Sequence, residues 1–153
     1  MRARLERLQN LRPLLETAGA IVRDAAKTRI HDQGGDQNWP PKIGGGHTGI
    51  DTGRMLNSIS FNVTGPNTVE IGTNVGAGTG KPYPLWFQKG TGVYVGNPPI
   101  TPKTAQALSF VMGGVRYFAR SIKGQPPRPF LLITEKETTR IRNAAQAYVD
   151  RGL

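Results

Sequence analysis

Leu108-Ser109-Phe110-Val111-Met112-Gly113-Gly114-Val115-Arg116-Tyr117-Phe118-Ala119 is the stretch that decides the fold. Two adjacent glycines between two short apolar runs suit a type I′ turn, whose central positions both need positive φ. A two-residue loop there pairs Met112 with Val115, Phe110 with Tyr117 and Leu108 with Ala119, all on one face. The other face carries Ser109, Arg116, Phe118 and Arg120 and is more polar and basic. Upstream, residues 58–64 alternate in the same way: Ile59, Phe61 and Val63 share one side, and Ser58, Ser60, Asn62 and Thr64 the other. Gly65-Pro66-Asn67 turns the chain, and Val69 and Ile71 continue the pattern. Such alternation predicts a half-buried antiparallel hairpin.

Helices flank these strands. Leu8, Leu11, Leu15, Ala18, Val22 and Ala25 recur every three or four residues and predict an apolar stripe along an N-terminal helix. Arg12, Arg23, Asp24 and Lys27 fall off it. Pro13 marks a kink or the first turn of a helix capped by Asn10. The spacing also suits a coiled coil, but fewer than four heptads favour packing on the protein's own sheet. At the other end, Thr134 and Glu137 form a capping box ahead of a helix lined by Ile141, Ala144, Ala145 and Tyr148. The expected fold class is α+β: a small antiparallel sheet of two hairpins packed by an N-terminal and a C-terminal helix. Long loops over residues 31–53 and 74–104 complete a single domain spanning residues 1–153. A cap by Asp51 or Thr52 is expected to start a short turn through Arg54-Met55-Leu56.

Composition narrows the function. The 153-residue chain has 20 Gly, 12 Pro and no Cys, which excludes disulfides and thiolate metal sites. No apolar run approaches the roughly 20 residues that cross a bilayer, and the charged N-terminus lacks a signal-peptide core, so no membrane role is expected. Net charge is +10, and no acid interrupts the basic residues Lys103, Arg116, Arg120, Lys123 and Arg128. A patch of that kind meets phosphate or an acidic protein surface.

Catalytic groupings are not apparent. Gly76-Ala77-Gly78-Thr79-Gly80-Lys81 resembles a phosphate loop, but Val75 stands where its first Gly belongs and Pro82 where Ser or Thr should follow Lys. The two histidines, His31 and His47, sit by glycine-rich segments with no nucleophile nearby, and the acids are dispersed. Glu135 and Glu137 are accounted for by the helix dipole. The expectation is a non-enzyme with no catalytic residue, cofactor or metal.

What remains are rigid aromatic runs. Trp39-Pro40-Pro41, Tyr83-Pro84-Leu85-Trp86-Phe87-Gln88-Lys89-Gly90 and Pro126-Pro127-Arg128-Pro129-Phe130-Leu131 set large apolar groups beside residues that fix the backbone. These runs dock on the domain's own core or on a neighbouring subunit. Trp39, Tyr83, Trp86, Gln88, Arg128 and Phe130 are the interface candidates. Arg128, held between prolines, has a rigid base from which to address a partner's carboxylate.

Taken in order, these features resemble the phage virion morphogenesis, or tail-completion, family. The set comprises an N-terminal helix, a Gly-rich loop with Trp39-Pro40, and the stretch Thr52-Gly53-Arg54-Met55-Leu56-Asn57-Ser58-Ile59. The run with Tyr83, Gln88 and Gly90 follows, then Pro126 to Leu131 and a closing helix. The resemblance covers roughly residues 15–150. It departs at Met55, where the family tends to have Leu, at Phe87, where His is common, and in the Pro-rich loop 90–104. It implies a structural component of a tailed phage or prophage, assembled in the host cytoplasm and placed at the head-proximal end of the tail. Such subunits form a homo-oligomeric ring, a hexamer among the stoichiometries it admits, complete the tail and enable head–tail joining. Tail-tube and head-connector proteins are the implied partners, with DNA passing through the lumen. Lys103, Arg116, Arg120 and Lys123 then face either that DNA or an acidic neighbour. From another class, the basic charge alone also suits a DNA-binding module.

Overall fold

The computed structural model describes residue 5 and residues 8–41, 53–80 and 82–151. The expectations for His47, Lys81 and the Asp51 or Thr52 cap lie outside the described residues. The elements run α1 (Arg12–His31), a 3-10 turn (Gly35–Gln37), α2 (Arg54–Ser58), β1 (Ser60–Gly65) and β2 (Thr68–Gly72). They continue with α3 (Tyr83–Lys89), a second 3-10 turn (Gly92–Val95), β3 (Leu108–Met112), β4 (Val115–Ala119) and α4 (Glu135–Arg151). The class is α+β. The chain divides into two compact units, one from Met1–Thr28, Ser58–Asn74 and Leu131–Leu153, the other from Arg29–Asn57 and Val75–Phe130.

In the first unit the β1–β2 hairpin has the expected register, with Phe61 opposite Ile71 and Val63 opposite Val69. An irregularity between Val63 and Gly65 leads into the turn. The helix face nearest the hairpin carries Gly19, where an added Cβ would lie 2.6 Å from the Phe61 ring and 2.9 Å from Val69. Only a residue without a side chain lets the helix backbone come this close. Ile21, Val22 and Ala26 are buried on the helix, and the Arg23 guanidinium lies over the Phe61 ring at 5.3 Å. The buried stripe therefore shares Val22 with the expected one but is rotated from Ala18 and Ala25 toward Gly19 and Ala26. Leu8 stays exposed.

The N-terminal ends of the unit's two helices are built as their sequences direct. The Arg12 amide donates to the Asn10 side-chain oxygen at 3.3 Å, which puts Pro13 in the first turn, where it displaces no helical hydrogen bond. The Thr134 amide donates to Glu137 Oε2 at 2.8 Å, the return arm of the capping box, and Glu137 is buried by it. Tyr148 is buried and its hydroxyl donates to the Asn10 carbonyl. One phenol thus ties the C-terminal helix to Asn10, two residues ahead of α1.

In the second unit α1 ends in a Schellman arrangement: the Gly34 amide reaches the Arg29 carbonyl at 2.7 Å, around Gln33 at φ 54°. The β3–β4 hairpin pairs Leu108 with Ala119, Phe110 with Tyr117 and Met112 with Val115, as its sequence predicts. Gly113 and Gly114 take the positive φ values 57° and 80° that the tight turn demands. The two hairpins are separate two-stranded sheets and do not share a ladder. Residues 74–104, expected to be loop throughout, contain α3 and the second 3-10 turn. Pro84 is accommodated because it falls in the first turn of α3 and has no helical amide to lose.

Candidate functional site

All three aromatic–proline runs meet inside the second unit. Phe87 on α3 packs edge-on against Phe130, ring centres 5.9 Å apart, and against Trp39 at 5.3 Å. Edge-to-face pairs align the positive ring edge with the negative face of the neighbour. Trp39 is brought in by the close approach of Gly34, whose Cβ, if present, would stand 2.5 Å from the indole. Phe130 is 1% exposed and forms the centre of this corner.

Hydrogen bonds fix the runs to each other. The Arg128 amide donates to the Phe87 carbonyl at 2.8 Å, and the Phe130 amide donates to Gln88 Oε1 at 2.9 Å. Arg128 is turned inward: its Nε donates to the Pro40 carbonyl at 3.0 Å and Nη2 to the Pro41 carbonyl at 3.3 Å. The guanidinium thus gathers all three runs, with its charge spread over carbonyl dipoles. Burial lowers its pKa from the ordinary value, the sign expected of a cation taken from water. Arg29, at the end of α1, plays a similar part through Nη1, which donates to the Phe130 carbonyl at 3.3 Å. Sequence reasoning missed Arg29; the available signal was its place three residues beyond Ala26 on the apolar side of the helix.

A backbone ladder extends the corner. The Thr91 amide donates to the Gln125 carbonyl at 2.9 Å and the Val93 amide to the Lys123 carbonyl at 2.9 Å. Ile100 and Ile122 exchange backbone hydrogen bonds of 2.8 and 3.0 Å. Gly90 lies so near Gln125 and Pro127 that any side chain there would strike their backbone atoms.

The six interface candidates therefore separate. Trp39, Gln88, Arg128 and Phe130 belong to the interior of the corner, whereas Tyr83 and Trp86, on the outer side of α3, are 39% and 43% exposed. Leu85 between them is also exposed. Of the basic run, Lys103, Arg116, Arg120 and Lys123 face solvent, and only Arg128 is withdrawn. The Trp39 indole N–H is buried without a hydrogen-bond partner among the described residues.

His31 is exposed and paired with Asp32 at 2.7 Å. Among the described residues no three His, Asp or Glu side chains gather where a metal ion could be held, and no helix is long and apolar enough to cross a membrane. The corner itself is made of rigid aromatic contacts and of two buried guanidinium groups on backbone carbonyls. Compared with protein-family models, with curated proteins and with solved structures, the chain matches none of them.

Proposed function

We propose that the chain is a structural virion component of a tailed phage or prophage, a ring-forming subunit that completes the tail and enables it to join the head. One observation carries the reading. The two motifs that bear most of the resemblance, Tyr83–Gly90 and Pro126–Leu131, are built into one corner through Phe87–Phe130 and Gln88–Phe130 contacts. Motif residues that serve architecture, with no reactive group among them, suit a protein whose work is assembly. The corner in turn holds α3 so that Tyr83 and Trp86 project outward, aromatic anchors of the kind that dominate interfaces.

Identical subunits joined head-to-tail close into a ring when the rotation per step permits. In this reading the protein is no enzyme and needs no cofactor. It acts in the cytoplasm during assembly and remains at the head-proximal end of the tail. The test is addition of the purified chain to tails that lack their terminator, followed by light scattering, electron microscopy and head-joining assays. Expected is a ring at one tail end and gain of head joining. A chain that stays monomeric with tails present and restores no joining would end the proposal.

A further inference from the structure

We infer that the β3–β4 hairpin is a docking arm for a protein partner that supplies an extended apolar segment flanked by carboxylates. The inference is independent of the virion reading and rests on the hairpin's own chemistry.

A two-stranded hairpin is marginal in water unless a third strand or a helix covers it. Among the described residues β3 and β4 pair only with each other, leaving the outer edge of β4 without a neighbouring strand. Nor is the apolar content of the hairpin covered. Val111 is 62% exposed, Val115 55%, Tyr117 43% and Phe118 68%. Single exposed apolar residues are ordinary, but a cluster on one short ribbon marks an interaction surface.

The charge on this ribbon selects the occupant. Arg116 and Phe118 share a face of β4, opposite Val111 and Ser109, and Arg120 follows in the same alternation. Both arginines are exposed, and neither has an ion-pair partner among the described residues. A strand added along β4 would place acid, apolar, acid on the face of Arg116, Phe118 and Arg120. Its alternate residues would be apolar, against Val115, Tyr117 and Ala119. Nucleic acid fits less well. Val111 and Val115 have no π face, and the Tyr117 ring is already stacked on Phe110 at 6.2 Å and 16°. A base-stacking platform needs successive free aromatic rings. Aliphatic, aromatic and Arg side chains together are the composition of a protein interface.

The experiment titrates the full chain with a labelled ten-residue peptide whose centre is a valine triplet flanked by glutamates. A peptide with lysines in place of the glutamates and a short DNA duplex serve as competitors. The glutamate peptide should bind at least about tenfold more tightly than the lysine peptide, and Phe118→Ser and Arg116→Glu should each weaken it by about tenfold, one hot-spot contact. Circular dichroism should be unchanged, because both side chains are exposed. Arg120→Glu provides the same readout should either variant alter the fold. No binding of the glutamate peptide, equal binding of both peptides, or indifference to these substitutions would overturn the inference. Duplex binding tighter than peptide binding would assign the arm to nucleic acid and overturn it as well. Failure here leaves tail addition untouched, so the two results are separable.

Discussion

The Phe130 amide donates to Gln88 Oε1 at 2.9 Å across 42 residues of sequence. The geometry makes one side-chain oxygen the acceptor for the amide of a residue whose own side chain is fully buried. Replacing Gln88 with Leu should cost about 2 kcal/mol, because the buried amide loses its acceptor and cannot regain water. Gln88→Glu keeps an oxygen in place and should lose less. Denaturant melts of the two variants check the ordering; equal losses would show that side-chain volume, and not the acceptor, matters.

Arg128 behaves as an internal strut, so Arg128→Ala should lower stability by about 2–4 kcal/mol, the two charged hydrogen bonds lost together. Sequence considerations pointed the guanidinium toward a partner; the structure turns it onto Pro40 and Pro41. Arg128→Lys can keep a single contact and should fall between wild type and Ala. A melting temperature unchanged by Arg128→Ala would contradict this placement.

Phe130 and Trp86 offer a contrast between core and surface. Phe130→Ala should destabilise the protein by about 3–5 kcal/mol, the usual cost of a cavity at a buried aromatic site. Trp86→Ala, at a 43% exposed position, should change stability by less than about 1 kcal/mol. If α3 serves assembly, Trp86→Ala should nonetheless abolish tail addition. Thermal melts read the first difference and the tail assay the second.

Acid should have a small, assignable effect through Asp24. Its hydrogen bond from Arg23, 2.7 Å long, lowers the carboxyl pKa in the folded protein. A lowered folded pKa contributes stability that is present above the unfolded value and lost as pH falls through the folded one, here below about pH 4. Because Asp24 is more than half exposed, the gain is no more than about 0.5 kcal/mol. Asp24→Asn should remove that part of the acid slope and leave stability near pH 7 within the same margin.

The hairpins were legible in the sequence because everything that sets them is local. A period of two and a Gly-Gly pair determine pairing without reference to the rest of the chain. The capping box at Thr134 and the Asn10–Pro13 helix start are likewise short-range. The helix stripe was displaced because the place of Gly19 depends on where the Phe61 ring comes to rest, which no spacing within the helix encodes. Helix α3 escaped notice for a related reason. Tyr83-Pro84-Leu85-Trp86-Phe87 has weak helical preference, and burial of Phe87 beside Trp39 and Phe130 supplies what local preference lacks. The inward course of Arg128 belongs to the same class. Its acceptors are carbonyls 87 and 88 residues away, and carbonyls carry no side-chain signature.

The rungs joining Thr91 to Gln125, Val93 to Lys123 and Ile100 to Ile122 are made of main-chain atoms, with Thr91 Oγ1 adding one side-chain acceptor for the Gln125 amide at 2.8 Å. Val93, Ile100, Ile122 and Lys123 supply them through amides and carbonyls that any residue but proline carries, whereas Gly92 and Gly124 are fixed, because a Cβ on either would stand 2.3 Å from a carbonyl oxygen across the ladder. The side chains of Val93, Tyr94, Val95 and Lys123 are thereby released from holding the segment together, and they point to solvent. Evolution can rewrite these four positions, changing what the strip adheres to while the glycines and the scaffold beneath keep its course.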